Sequence, residues 1–574
     1  GAWLKRSEQF LPRTSRRPSQ CYPEAMADTL ELALSSSSAA QRKNGLMEIR
    51  SMGEYGAATM GYHEQAYAML DDRETSVQVA AIKALGSMGE YGAAHCDAIV
   101  AKLTSSSEKA VKTAAIQALG SLGEHASAYN DAVESFLESQ DLDLVMEACI
   151  ALGSMKVTSA AGKLAAKLKQ ADVDVVVGAC LGLGALGMEA DALMGMLSSQ
   201  EARVRAAAIG AMPKEDGEKH LAAACKLLED SDVYVRINAV SFITGQGTKA
   251  AANAAEIVKL LGSSQVGVRV AAAAAMGSFG ELEESHMEAL EAVLADTEED
   301  TGSLMMSIAG VQTKTPAAMR KPACAAATTL GAAGSKAGRS ASKLAETLAS
   351  PDYEVRIACA VALGKLGDAG ARCEDQLVFL LDDQQPLVVA AACTALGSIA
   401  ESTSPSASAA GKMAELVKNP HPAVKGSALG GLGHMGEEAS PFLEDFVKCF
   451  QDNTGYVRAQ AIAAVTACGE LGQMYAVEVC RMMFDEDPRT RLAAAKALPM
   501  MGERGAAFAE EVASLLEDPA PEVRAAGIRA LAAFGGEVLT EWLPSIRAVA
   551  DVDPSPEVKA AAQDAAGGLK ALEE

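Results

Sequence analysis

The chain has 574 residues, 50 Lys plus Arg against 75 Asp plus Glu, a formal net charge of −25, and 49 % hydrophobic but only 4 % aromatic residues. The excess of carboxylates excludes a general nucleic-acid binder, which needs Lys and Arg to neutralise phosphates. The longest uncharged stretch, Gln384 to Ala400, falls short of the ~20 residues of a membrane-spanning helix, and the large apolar fraction excludes a disordered chain.

Residues 1–25 differ from the rest of the chain. Lys5, Arg6, Arg13, Arg16 and Arg17 face only Glu8 and Glu24, which gives +3 and leaves −28 on the remainder. This segment reads as a basic N-terminal arm or as the remnant of a targeting segment. From residue 26 onward the sequence repeats. VQVAAIKALGSMGE at Val77 returns as VKTAAIQALGSLGE at Val111, VRVAAAAAMGSFGE at Val268, VRIACAVALGKLGD at Val355 and VRAAGIRALAAFGG at Val523. Weaker copies begin at Leu144, Val175, Val204, Val235, Pro322, Val388, Val424, Val457, Thr490 and Val558, and an eroded first copy spans Gln41 to Gly53.

Successive starts lie 29 to 36 residues apart, with 33 commonest and one step of 54. A second apolar pattern, such as HCDAIVAKL at His95, lies between copies. The spacing predicts two helices of about a dozen residues per unit, joined by short turns. Pro386, Pro422, Pro488, Pro521 and Pro556 stand two residues before the head residue of their copies; proline suits a first helical turn, where its missing N–H has no helical partner to lose. Gly89, Gly123 and Gly367 suit left-handed helix ends. No segment has the β-branched alternation of a sheet, so the fold class is all-α.

A unit of the form D-x-x-x-V-R-x-A-A-x-x-A-L-G-x-L-G resembles HEAT repeats, particularly the short, Ala-rich HEAT-like type of phycobilin lyases. Asp352 to Gly367 and Asp518 to Gly535 are the clearest copies. The resemblance covers roughly residues 27 to 570 and implies an α-solenoid, a superhelix of about sixteen HEAT-like helix pairs. One pair cannot bury its own apolar face, so neighbours must stack. The expected organisation is repeats over 26–296, an insertion within one repeat at 297–316, and repeats again over 317–574.

The residue after the head valine is basic in many copies: Arg205, Arg236, Arg269, Arg356, Lys425, Arg458, Arg491, Arg524 and Lys559. Asp232, Asp352, Asp452, Asp487, Asp518 and Asp553 sit just before it. Stacking predicts an Asp–Arg ladder that fixes the turns; a basic stripe for a partner, over Arg205/Arg236/Arg269 or Arg458/Arg491/Arg524, is the alternative. The insertion opens with Glu298-Glu299-Asp300 and continues SLMMSIAGV from Ser303. Leu304, Ile308 and Val311 follow helical spacing, with Met305 and Met306 beside them. Insertions in repeat arrays collect on one edge and form binding loops, so these five residues are candidate partner contacts, with a flap over neighbouring repeats as the other reading. Tyr55 and Tyr91, each in a GEYGAA turn, are candidates for a contact edge or for staples between turns.

Motifs of chemistry are sparse. Two GxGxxG matches, Gly182-Gly184-Gly187 and Gly431-Gly433-Gly436, fall on the repeat's ordinary glycine positions without the preceding strand of a dinucleotide loop. The seven histidines form no HxxxH or HExxH pair, and His63-Glu64 with the reversed Glu124-His125 is too little for a catalytic metal cluster. Cys149, Cys180 and Cys393 share one repeat position, with Cys324 and Cys359 close to it, which reads as buried packing; Cys21 and Cys373 lie outside that position and are expected to be accessible. The twelve cysteines contain no CxxC pair, which fits a reducing intracellular compartment, cytoplasmic or organellar.

The expectation is therefore a non-catalytic scaffold or adaptor, with no catalytic residue, cofactor or metal. Its partners are proteins, and the acidic excess favours basic surfaces on them. A transport or coat-type adaptor shares the same physics. A lyase-like cofactor-attachment protein is the enzyme-class alternative, and visible absorbance of a bound chromophore would favour it.

Overall fold

The computed structural model describes the backbone of residues 30–573 except 216, 304, 309–310, 404–406 and 554, and the side chains of the same residues except 54–60, 303–314, 552 and 568–573. Residues 1–25, Cys21 among them, lie outside this range. Among the described residues every sequence copy opens one helix, from Ala39–Met60 to Pro556–Glu573, sixteen in all. Their apolar spacing explains what they bury. In Tyr353–Gly364, Val355, Cys359, Ala360 and Leu363 recur at helical intervals and are fully buried. Asp141, Asp172, Asp232, Asp352 and Asp487 cap such helices by accepting from backbone N–H groups of the first turn, each cap worth about 1 kcal/mol.

Except for Gly536–Val552, which has 17 residues, the second helices are shorter than the dozen expected. Cys96–Ser105 has ten and Leu221–Lys226 six, the latter continued by a 3-10 turn at Leu227–Glu229. The residues are taken up by an extra segment between the two helices, such as Gly89–Ala93 or the 3-10 run Gly123–Tyr129. Gly367 does not end its helix in a left-handed cap. At φ 58° and ψ −132° it opens the next segment, in a region open essentially to glycine alone.

The chain divides into two compact units, Gly1–Ala118 with Glu478–Glu574, and Leu119–Val477. In the first, Ala39–Met60 packs on Thr75–Leu85, and Pro488–Ala497 packs on Pro521–Ala533, which packs on Pro556–Glu573. In the second, the first helices stack without interruption from Leu142–Ser154 to Gly455–Ala467. Val266–Ala275 packs directly on Pro322–Ala332, and the buried Thr329 hydroxyl donates to Ala273 O at 2.7 Å. The long step in the sequence therefore does not break the stack. The insertion also lies between pairs and not within one, because the second helix, Glu284–Val293, is complete before Asp296.

The insertion is not helical. Met305–Ile308 (β1) pairs antiparallel with Val311–Lys314 (β2), in a register that sets Met305 opposite Lys314 and Ile308 opposite Val311. The spacing of Leu304, Ile308 and Val311 points to a helix, but Ile308, Val311 and Thr313 are β-branched and favour a pleated strand.

Backbones of successive first helices approach closely. A Cβ on Gly364 would stand 2.7 Å from Ala395 Cα, so Gly364→Ala forces the helices apart. We expect a net loss of about 1–3 kcal/mol, outweighing the ~1 kcal/mol that alanine gains in helix propensity. Gly411, in Ala407–Leu416, meets nothing within 4 Å. Gly411→Ala is expected to stabilise by about 0.5–1 kcal/mol, and urea unfolding midpoints of the two variants should move in opposite directions.

Candidate functional site

The charged residues that punctuate the turns form rungs. Arg205 Nε and Nη2 donate to both carboxylate oxygens of Asp230 at 2.7 Å each. Arg356 does the same to Asp383 at 2.8 and 3.0 Å, and Lys425 donates to Asp452 at 2.7 Å; these lie in the second unit. In the first, Arg42 pairs with Asp72, Arg491 with Asp518 and Arg524 with Asp553, through bonds of 2.6 to 3.0 Å. The third guanidinium nitrogen turns back to the chain. Arg205 Nη1 donates to Ser199 O, Arg356 Nη1 to Ser350 O and Arg524 Nη1 to Asp518 O, each six residues upstream. Arg458 makes the same bond to Asp452 O at 2.8 Å.

The aspartate is used twice. Its carboxylate accepts from the preceding pair's Arg and from its own turn, as when Asp518 accepts from the Ala520 amide at 2.9 Å. The backbone carbonyls of Asp230, Asp452 and Asp518 also accept from the Arg six residues on. Asp518 and Asp452 thus stand in the rungs, whereas Asp232, Asp352 and Asp487 are helix caps two residues further along. Asp352 pairs with Lys321 and with no rung Arg. The rung aspartates Asp230, Asp452, Asp518 and Asp553 stand six residues before a basic residue, Arg236, Arg458, Arg524 and Lys559, whereas Asp72 and Asp383 precede Gln78 and Val389 by the same interval. The guanidinium-bearing side chains are almost wholly covered, from 14 % exposed for Arg205 to 1 % for Arg524. They are engaged within the stack and offer no open basic stripe.

Arg236 breaks the pattern. The residue due to face it is Ser263, and its partner is instead Asp300 of the insertion. Arg269 pairs with Asp296 at 2.6 Å and reaches Glu298 at 2.5 Å. On the returning limb Arg320, 1 % exposed, donates to Thr315 O at 2.9 Å and pairs with Glu299 and Glu354. Lys321 pairs with Asp352, and with Glu354 at 2.8 Å. Burial pulls Lys321 down, but hydrogen bonds to those two carboxylates hold it above its ordinary value. The Asp300 amide donates to Arg320 O and the Ala323 amide to Asp296 O. The stem of the insertion is thus tied into the stack, and β1 and β2 lie beyond that tie. The side chains of Leu304, Met305, Met306, Ile308 and Val311 lie outside the described ones, as does that of Tyr55.

Tyr91 is half-buried, its ring centroid 5.6 Å from that of His63. His63 Nδ1 lies 3.1 Å from His95 Nε2 and 3.8 Å from a Glu64 carboxylate oxygen. Tyr67 stacks on His95 at 4.7 Å, and burial lowers the pKa of His95. The sequence shows these histidines one repeat apart, a relation that adjacent-residue motifs do not capture. Cys149, Cys180, Cys324, Cys359 and Cys393 are fully buried, and burial pushes their thiols up to about 12. Cys373, expected to be accessible, is buried as well, with its thiol near Ala341 O and Ala369 O. It sits at the head of Glu374–Phe379, where the second helix turns inward. Gly182 and Gly184 lie inside the helix Val173–Leu186, and Gly431 and Gly433 inside Pro422–His434.

The sequence matches the family described as HEAT repeats over residues 64–145, 221–304, 341–410, 374–465 and 481–567, most of the chain. Among solved structures it is similar to a chain of the Kap95:Nup1 complex, at 11 % identity and a TM-score of 0.59, covering 96 % of this chain and 85 % of that one. It is also similar to yeast importin-beta, Kap95p, at 12 % identity and a TM-score of 0.54, covering 99 % and 79 %. At such identity the likeness is one of fold. No curated protein matches the sequence. No helix among the described residues is long and apolar enough to cross a membrane.

Two experiments test the rungs. Burial by itself would raise Asp230, but the hydrogen bonds from Arg205 and from the Asp232 amide, with the Arg205 charge, hold it below the ordinary carboxylate value. A depressed pKa contributes stability in full above the unfolded value of about 3.9 and loses it as pH falls through the folded value. The stability gap between the native chain and Asp230→Asn should therefore be widest near neutrality and close below about pH 4; a gap independent of pH would refute the assignment. For the buried Arg524–Asp553 pair, either Arg524→Ala or Asp553→Ala should cost about 3–5 kcal/mol, because each strands a buried charge. The double change Arg524→Met with Asp553→Leu should cost less than either single change, as read from urea unfolding.

Proposed function

The chain belongs to the HEAT-repeat family, and from that membership we propose that it is a non-catalytic scaffold or adaptor that binds protein partners along its stacked helix pairs. The observation that carries this reading is the insertion. Its stem is held by Arg236, Arg269, Arg320 and Lys321, while the helices on either side pack on one another directly. Residues 303–314 therefore lie between two anchored limbs, in an insertion that the stack does not need to stay closed. Leu304, Met305, Met306, Ile308 and Val311 supply apolar contact residues there, beside chain that carries Glu298, Glu299 and Asp300. The net charge of −25 favours basic partner surfaces and a faster, salt-sensitive encounter with them.

The buried chemistry of the chain supports the same reading. The fully covered arginines hold turns together, and the eleven described cysteines are buried and unpaired, as suits packing in a reducing intracellular compartment. A transport or coat-type adaptor is a narrower form of this proposal, and the identity of the partner decides it.

The test replaces residues 303–314 by a short Gly-Ser link while keeping Asp296–Asp300 and Thr315–Lys321. Crosslinking mass spectrometry of native complexes should then show crosslinks to the partner near the insertion in the native chain and their loss in the variant. Helicity and melting temperature should stay within about 2 °C of the native chain, since no rung is touched. Partner crosslinks unchanged in the variant would overturn the role of the insertion, and a chain that crosslinks to no partner would overturn the scaffold reading itself.

A further inference from the structure

We propose that His63, Glu64 and His95 form a binding site for one divalent transition-metal ion, which clips the turn of one helix pair to the turn of the next. His63 and Glu64 stand in the first turn of Tyr62–Ala68, and His95 immediately precedes Cys96–Ser105 in the following pair, its side chain not engaged in capping that helix. One ligand atom from each, His63 Nδ1, His95 Nε2 and a Glu64 carboxylate oxygen, lies within 4.8 Å of the other two. Bonds of about 2.0–2.1 Å in a tetrahedron set neighbouring ligand atoms about 3.3 Å apart. The two imidazole nitrogens already stand 3.1 Å apart, close to the spacing of two nitrogens on one ion, so a small rotation of the rings would let them share it. Glu64 is two-thirds exposed and 3.8 Å from His63 Nδ1, so its side chain is free to make the last adjustment.

The surroundings hold the rings in place for this. Tyr67 stacks on His95 with 20° between the planes, and Tyr91 lies against His63. A bare helix N-terminus would repel a cation; the Glu64 carboxylate supplies the opposing charge there. Two imidazoles and one carboxylate suit Zn²⁺, Ni²⁺ or Cu²⁺ and poorly suit Mg²⁺ or Ca²⁺, which take oxygen ligands. Three protein ligands leave one position to water. Cys96, next to His95, is fully buried and remains a thiol, pushed up to about 11; it is not part of the set. Linking two turns across a repeat interface, the ion would stiffen the array locally, as the arginine rungs do elsewhere.

The full chain, stripped with a chelator and dialysed, is titrated with Co²⁺ and, in competition with a colorimetric chelator, with Zn²⁺. One equivalent of Co²⁺ should bind with visible d–d absorption and no thiolate charge-transfer band, and one equivalent of Zn²⁺ should displace it. His63→Ala and His95→Ala should each weaken Zn²⁺ binding on the order of 100-fold or more, since each removes a ligand and even outer-shell losses reach 10–100-fold. Glu64→Gln should weaken it about tenfold. Circular dichroism melts report whether the histidine variants fold. Should either fail to fold, the exposed Glu64→Gln decides: weaker binding supports the site and unchanged binding overturns it. Failure of the native chain to bind Co²⁺ or Zn²⁺ stoichiometrically, or full binding retained in both folded histidine variants, overturns the proposal.

Discussion

A bidentate bond from the arginine at the head of one helix pair to an aspartate in the next turn fixes how these pairs meet. The helices it joins are rich in alanine and glycine, and close backbone contact, such as Gly364 against Ala395, sets their spacing. The rung adds a directional constraint, because the carboxylate of one turn meets the arginine of the preceding pair only when the pairs stack in register, as Asp383 does with Arg356 and Asp518 with Arg491. A buried ion pair is a poor source of net stability, since the desolvation of both charges offsets most of their attraction. Its contribution is better described as specification of register. Each arginine also closes its own turn through the carbonyl six residues upstream, so one side chain sets both the shape of a turn and its relation to the next.

The same constraint explains how the array accepts an insertion. Between the pairs headed by Val268 and Pro322 the chain adds a loop, yet the first helices on either side still touch. Ser263 leaves Arg236 without its ordinary carboxylate, and Asp300, from the loop, takes that place. Arg269 keeps Asp296 and gains Glu298. The acidic triplet that opens the insertion is therefore not a solvated tail: two of its members neutralise arginines of preceding pairs and the third, Glu299, meets Arg320. The triplet on one limb and Arg320 and Lys321 on the other thus anchor the insertion at both ends.

The fold is legible in the sequence because it is written sixteen times: periodic Val, Ala and Leu, with proline at helix starts, need no tertiary knowledge. The pairing within the rungs is legible only in outline. An aspartate just before the head valine can cap its own helix, as Asp352 does, or reach the preceding pair, as Asp518 does, and two residues of offset separate the roles. The hairpin escapes a local reading, since Leu304, Ile308 and Val311 satisfy helical spacing by chance, while cross-strand pairing is invisible to a short window. Cys373 lies off the repeat's cysteine position, yet a second, inward-turning helix buries it just as well. His63 and His95 meet only because two turns stack, a distance that no contiguous motif spans.

Rungs are absent at some joints, and the substitutions there are coupled. Where the position after the head residue carries valine in place of arginine, as at Val145, Val176 and Val389, the residue due to face it is Gln170, Ser199 or Asn419, none of them a carboxylate. These valines are 2–5 % exposed, so the joint replaces a buried ion pair by buried hydrocarbon, an exchange that is often neutral or favourable in free energy. What the apolar joint gives up is directional register. Val145 and Val176 belong to first helices that pack through Gly153 and Gly182, where an added Cβ on Gly153 would come within 2.5 Å of the facing backbone. Backbone shape can therefore locate one helix against the next without a charge. Ionic rungs and glycine-mediated contact can also share one joint, as where Arg356 meets Asp383 and Gly364 meets Ala395, and Asp300 shows that a rung without its partner is completed from elsewhere in the chain.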